Sequence, residues 1–240
     1  MPPCGKLKGE RDMGSNFGSS YNVDICMCID ATGSMGPLLD LVKSNALSFY
    51  SDLKTCMAAK DKHVDELRVR VIAFRDYLAD GKDAMLLSDF FVLPEQSAEF
   101  ESLVRGIQPR GGGDDPEDSL EALGYAIKSK WTHGGDKRRH VIVLWTDDVP
   151  HDLGFGRAAP NYTAKMAKSF DELTEWWGAT GQGGVMNPSD KRLLIYAPNK
   201  GYWNDIMGIW DNTLLFPSEA GKGLEEATYS AILDAIAGSI

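Results

Sequence analysis

Three short segments of this sequence crowd oxygen-bearing side chains together. Asp30, Thr32 and Ser34 stand at alternate positions of Asp30-Ala-Thr-Gly-Ser34. A glycine-rich stretch, Pro109-Arg-Gly-Gly-Gly-Asp-Asp-Pro-Glu-Asp118, carries Asp114, Asp115 and Glu117. Asp147 and Asp148 form the third segment. Carboxylates and hydroxyls are hard ligands that suit Mg²⁺, Ca²⁺ or Mn²⁺ rather than zinc or copper. Several acids brought to one place repel each other unless a cation sits among them. Taken singly, each segment has a plainer reading. Asp, Thr and Ser before a helix are common caps, Asp115-Pro-Glu-Asp118 is a good helix start, and an Asp-Asp pair after a strand is an ordinary loop. Their conjunction is harder to assign to capping, provided that the fold brings all three segments to one edge.

The hydrophobic pattern supplies that edge. Tyr21–Ile29 (YNVDICMCI) is apolar on both faces, as in the buried middle of a parallel sheet, and it ends at Asp30. A long helical pattern follows from about Met35 to Met57, with Leu38, Leu39, Val42, Ala46, Phe49 and Leu53 at helical spacing. Further strands are expected over Glu66–Tyr77, Met85–Val92, Arg139–Thr146, Arg192–Ala197 and Thr213–Phe216. Helices are expected from Pro94, over Pro116–Lys130, near Thr163–Trp177, around Tyr202–Ile209 and over Leu224–Ala237. The alternation predicts an α/β, doubly wound, mostly parallel central sheet with helices on both faces, and the short second connection predicts one antiparallel edge strand. Ligands of such sheets sit at the carboxyl ends of the strands, where the strand order reverses. All three oxygen-rich segments follow strands or open helices at that end. Residues 1–20, rich in Gly, Ser and charge, read as a flexible arm before a single domain over residues 21–240.

Composition narrows the function classes. The chain has 240 residues, 43% of them hydrophobic, enough for a sizeable core. Asp plus Glu number 35 against 25 for Lys plus Arg, a net charge of −10. That balance argues against nucleic-acid or anionic-membrane partners, which need positive surface. The N-terminus lacks the apolar core of a secretory signal, and the cysteines, Cys4, Cys26, Cys28 and Cys56, form no CxxC or Cys/His cluster. Cys26 and Cys28 share one strand face, which suits core packing better than a disulfide. A reduced, cytoplasmic protein is the expectation.

The constellation resembles the von Willebrand factor A (vWA) domain and its metal-ion-dependent adhesion site. Asp30, Thr32 and Ser34 meet the family pattern D-x-[S/T]-x-S after a first hydrophobic strand, and Asp147, ending Val143-Leu-Trp-Thr-Asp147, matches the family's last metal-site Asp. Gly113-Asp-Asp-Pro-Glu117 looks like the integrin β-subunit version of the intervening loop, so Glu117 is the matching ligand and Asp114 a weaker one. The acidic pair that integrin β subunits carry after the first motif is replaced by Pro37-Leu38-Leu39, with only Asp40 nearby. The resemblance covers about Asn22 to Ile240. It implies a non-enzymatic interaction module that holds Mg²⁺, or Mn²⁺ or Ca²⁺, and receives an Asp or Glu of a protein partner as the last ligand.

The alternative is a metal-dependent hydrolase acting on a phosphate ester. Against it, the sequence has no GxxxxGK[ST] loop and no G-x-S-x-G elbow, and only Arg75 and Arg110 are placed to stabilise an oxyanion. His151 reads as a solvated loop histidine, and the loop from Val149 to Tyr162 as the partner-contact loop.

Overall fold

The structure, a computed structural model, describes residues 19–113, 116–179, 181 and 184–240. The first half runs β1 (Ser19–Asp30), α1 (Gly36–Asn45), α2 (Phe49–Ala58), β2 (Lys62–Phe74), α3 (Tyr77–Asp80), β3 (Met85–Leu87), β4 (Phe91–Leu93) and α4 (Ser97–Gly106). The second runs α5 (Ser119–Ile127), β5 (Arg138–Trp145), α6 (Phe170–Trp177), β6 (Lys191–Ala197), α7 (Tyr202–Ile209), β7 (Thr213–Pro217) and α8 (Tyr229–Ser239). One sheet forms in the order β3-β2-β1-β5-β6-β7, with β4 also paired to β2. The pairs from β2 through β7 are parallel, and β3 and β4 run antiparallel to β2. Among the described residues no helix is long and apolar enough to cross a membrane.

Alternation along β1 divides the core. Val23, Ile25, Met27 and Ile29 point into a cluster with α1, α2, α4 and α8, while Cys26 and Cys28 join one with α5, α6 and α7. Both faces of the central strand are therefore covered, which is why it reads as an unbroken apolar run. The thiols of Cys26, Cys28 and Cys56 are free. Because β2 lies on one side of β1 and β5 on the other, the chain reverses its winding direction at β1, and a crevice opens at the carboxyl ends of β1 and β5.

Several elements differ from the expected spans for local reasons. The long helix breaks at 46–48, where Asn45 Nδ2 donates to the Leu41 carbonyl (2.7 Å) and Ser48 Oγ to the Asn45 carbonyl (3.3 Å), side-chain bonds that compete with the helical ladder. The single edge strand is two: Arg70 and Val71, between the paired residues of β2, face three residues, Ser88 to Phe90. This is a bulge, and Ser88 Oγ takes the Val71 amide (2.9 Å) in place of the ladder. α6 starts only at Phe170, capped by Ser169, and α8 only at Tyr229, capped by Thr228. α5 starts at Ser119 because the backbone of Glu117 is used elsewhere: its amide donates to the Val149 carbonyl (3.3 Å) and its carbonyl accepts from the His151 amide (3.0 Å). That short bridge pins Glu117 against the loop after β5.

Arg75, immediately after β2, fastens the glycine-rich loop to the sheet. Its buried guanidinium donates from Nε to the carbonyls of Ala31 (3.0 Å) and Arg110 (2.8 Å), from Nη1 to Asp83 (2.8 Å) and from Nη2 to Gln108 (2.7 Å). Arg75→Met keeps the volume and takes this donor from the Asp83, Gln108 and Arg110 carbonyls, while that of Ala31 keeps the Arg110 amide, so it should cost about 3 kcal/mol and lower the Tm by roughly 10 °C. A melting curve within about 2 °C of wild type would show that the loop is held by other contacts.

Candidate functional site

Asp30 and Asp147 meet because β1 and β5 are parallel neighbours, with Ile29 opposite Trp145. Asp30 is fully buried, and both its oxygens are occupied. Oδ1 accepts from the Thr32 amide (2.9 Å) and from Thr32 Oγ1 (2.7 Å), and Oδ2 accepts from Thr146 Oγ1 (2.8 Å). Ser34 Oγ donates to Asp147 Oδ1 (3.0 Å) and lies 3.5 Å from Thr32 Oγ1. Asp147 Oδ2 accepts the amide of Gly223 (2.8 Å), from the loop that leads into α8. Gly223 sits at φ +59°, and a Cβ there would collide with the Ser34 carbonyl, so only glycine brings this amide to the carboxylate.

Glu117 completes the rim from the other side. Gly112, at φ +83°, lies so close that a Cβ would stand 2.8 Å from Glu117 Oε1 and 3.2 Å from Thr32 Cγ2. Glu117 Oε2 is buried and accepts no hydrogen bond from the described residues. Thr32, Ser34, Gly112, Glu117, Asp147 and Asp148 line an open cavity of about 310 Å³. The structure thus gathers Asp30, Thr32, Ser34, Glu117 and Asp147 at one crevice, while Asp114 lies outside the described residues. Among the described residues, no group of three or more His, Cys, Asp or Glu side chains is arranged to hold a metal. The three carboxylates here are interleaved with two hydroxyls rather than packed into an all-acid cage.

Burial dominates the electrostatics. It pushes Asp30 up to about 6, against hydrogen bonds from Thr32 and Thr146 and with help from the charge of Asp147. It pushes Glu117 up to about 10, reinforced by Asp30, Asp76, Asp80 and Asp118. Glu117 therefore carries a proton at neutral pH whenever no cation is present.

Several neighbours escaped the sequence reading. Thr146 stands immediately before Asp147, and that place at the end of β5 is the signal the sequence offers. Nothing in the sequence pointed to Gly223. His151 is buried rather than solvated: its Nε2 lies 3.0 Å from Asp76 Oδ2 and its ring stacks on Phe155 at 4.0 Å. Burial pushes the Asp76 carboxyl up, but the Ala79 amide, His151 and the Leu78 amide together hold it below the usual carboxylate range. Glu121 accepts from the Gly154 amide (2.7 Å) and Tyr162 Oη (3.0 Å), so the 149–162 loop is tied to α5 at its middle and at its end.

No known family model matches the chain. The pilus adhesin SpaC from Lactobacillus rhamnosus GG superposes with a TM-score of 0.53 at 13% identity, over 91% of this chain and 30% of that one. The vWF domain of the type V pili tip protein Mfa5 from Porphyromonas gingivalis gives 0.50 at 14% identity, over 91% and 94%. The fold is von Willebrand factor A-like. The alpha-protein kinase vwkA from Dictyostelium discoideum is 25% identical over 146 residues, 60% of this chain and 21% of the kinase, so the chain spans about a fifth of that relative. In the vWA-like fold the crevice stands at the carboxyl edge of the sheet, where the D-x-T-x-S segment and Asp147 converge.

The raised carboxyls set a pH signature for the metal-free protein. A group protonated more readily in the folded than in the unfolded state stabilises at low pH and loses that contribution as pH rises through its folded value. With Asp30 moved from 3.8 to about 6 and Glu117 from 4.5 to about 10, stability in EDTA should fall between pH 5 and pH 8. Thermal melts across that range check it, and Glu117→Gln, neutral at every pH, should flatten the slope. An equal slope in the variant would remove Glu117 from the account.

Proposed function

We propose that this chain is a metal-dependent protein-interaction module. The hydroxyls of Thr32 and Ser34 hold a divalent cation, Mg²⁺ or alternatively Mn²⁺ or Ca²⁺, and Asp30, Asp147 and Glu117 bind it directly or orient its waters. Asp114, in the same glycine-rich loop, is a further candidate. The observation that carries this reading is Glu117 Oε2, a buried oxygen with no donor, on a cavity lined by hydroxyls and carboxylates. A hard cation supplies the missing positive charge and relieves the mutual repulsion of the acids. Because two of its ligands are neutral, it keeps charge to attract an outside carboxylate. An Asp or Glu of a partner protein then completes the coordination.

The vWA-like fold supports an interaction role by analogy with the adhesins that share it. A phosphate-ester hydrolase at the same rim would gain from a cationic side chain beside its metal for the charge that develops on the phosphate. Arg75 is spent on four carbonyls, and Arg110 is paired with Asp83 at 3.0 Å, so the interaction reading is preferred. The 149–162 loop, with Phe155 exposed at its tip, borders the crevice and is the proposed contact loop. Free thiols at Cys26, Cys28 and Cys56 favour a reducing, cytoplasmic setting.

Titration calorimetry with Mg²⁺ and Mn²⁺ tests the cation directly. Wild type should bind and Asp30→Ala should not; no heat with wild type, or equal binding by the variant, would sink the assignment. Asp147→Asn retains an acceptor oxygen for one of its two hydrogen bonds, so in EDTA it should lose only about 1 kcal/mol, yet it should lose the upward Tm shift that Mg²⁺ gives wild type. A variant that unfolds with or without metal would make Asp147 structural.

The partner's acid is tested by affinity purification with wild type and Ser34→Ala, each in Mg²⁺ and in EDTA. A surface of net charge −10 disfavours an acidic partner everywhere but at the cation, so capture should occur in wild type with Mg²⁺ alone. Equal capture in all four conditions would demote the metal to a structural role.

A further inference from the structure

The opposite end of the sheet has the reverse electrostatic character. On this acidic chain, Lys62, Arg139 and Arg192 line one cleft of about 440 Å³ at the amino-terminal ends of β5, β6 and β7. Parallel register places Arg139 and Arg192 on the α8 face of the sheet as diagonal neighbours: their Nη1 atoms donate to the carbonyls of Arg138 (2.7 Å) and Lys191 (2.6 Å), and both also reach that of Ser189, at 3.5 and 3.4 Å. Arg139 is held over the ring of Tyr21 at 5.3 Å, and its Nε is buried without an acceptor. Among the described residues, no carboxylate lies within ion-pair distance of Lys62, Arg139 or Arg192. The nearby acids are committed: Asp190 pairs with Arg138 (3.0 Å) and Asp211 with Lys191 (2.7 Å). Burial, and next the charge of Arg139, hold the Arg192 guanidinium below its usual value.

Two like charges converging on one carbonyl, with a donor left over, form a clamp that lacks its anion. The rest of the cleft says what carries that anion. Its remaining wall includes Leu194, buried, Leu214, 52% exposed on the edge strand β7, and the last turn of α8 with Ile240. A cleft this large and part-apolar exceeds what a free inorganic anion fills. The residues that precede β1 are no complement, since Lys6, Lys8 and Arg11 outnumber Glu10 and Asp12 there. We infer that this cleft binds a short segment of a protein partner in which acidic side chains alternate with apolar ones. The acids meet Arg139, Arg192 and Lys62, and the apolar residues cover Leu214. The site lies about 25 Å along β5 from Asp147 and is independent of the proposed cation.

Fluorescence anisotropy of the full chain with a labelled hexapeptide of alternating glutamate and leucine tests the inference, with a lysine–leucine hexapeptide and inorganic phosphate as comparison probes. In EDTA, where the crevice can hold no cation, the acidic peptide should bind, weaken as salt rises, and lose about tenfold or more in affinity in Arg139→Gln/Arg192→Gln, while Asp147→Asn leaves it unchanged. Salt dependence on wild type keeps the test open should the double variant fold poorly. Three outcomes overturn the inference: equal affinity in the folded double variant, equal binding of the lysine peptide, or full displacement by equimolar phosphate, which would mark a small-anion site. Binding that vanishes in EDTA would place the peptide at the crevice, overturning this inference while leaving the proposed function intact.

Discussion

A carboxylate buried at the end of a central strand is costly unless each oxygen finds a donor, and Asp30 meets that requirement through three bonds from two different strand ends. Thr32 supplies two of them from the turn after β1, and Thr146 the third from the end of β5. The same bonds fix the geometry of everything around them. Thr32 must turn its hydroxyl inward, which brings Ser34 round to Asp147, and Thr146 must stand opposite Asp30, which leaves Asp147 as the first residue to reach the crevice. The satisfied carboxylate is the scaffold, and Glu117, whose buried Oε2 has no donor among the described residues, is the one the proposed cation would complete. The difference between them lies in donors rather than depth.

The loops are held to this scaffold by backbone chemistry more than by packing. Arg75 gathers carbonyls from the β1 turn and from the start of the glycine-rich loop, and Glu117 forms a single bridge to Pro150. A loop tethered by its backbone lets its glycines approach a neighbouring side chain closely, as Gly112 approaches Glu117. Gly223 extends the same logic to the segment before α8: one amide couples Asp147 to the last helix, with no side chain between them.

The strand arrangement and the acidic edge were legible because both follow from local pattern. β1 is apolar on each face, so its centrality could be read directly, and Asp30, Thr32 and Ser34 follow it without a gap. Where reading failed, the deciding partner was remote. His151 looked solvated because its burial depends on Asp76, far away in sequence, and on the stacking of Phe155. Arg75 looked available because its acceptors are carbonyls, which the sequence does not mark. The broken helix and the bulged edge strand turn on single bonds of Asn45, Ser48 and Ser88 to the backbone, too local to disturb the hydrophobic period.

Net charge alone hides how the chain arranges its surface along the strand axis. At the carboxyl end, acids are drawn together and one is left protonated. At the amino end, two arginines share a carbonyl although carboxylates are plentiful elsewhere. Neither arrangement is the lowest-energy distribution for an isolated domain, since exchanging charges between the ends would pair both sets. Like charges facing one another destabilise a fold by local repulsion, which a proton relieves at the acidic end and an external counter-charge can relieve at either. The sheet holds the two sets apart because parallel strands put all their starts at one edge and all their ends at the other. The fold that creates the crevice therefore also creates the distance across which opposite charges remain unmatched.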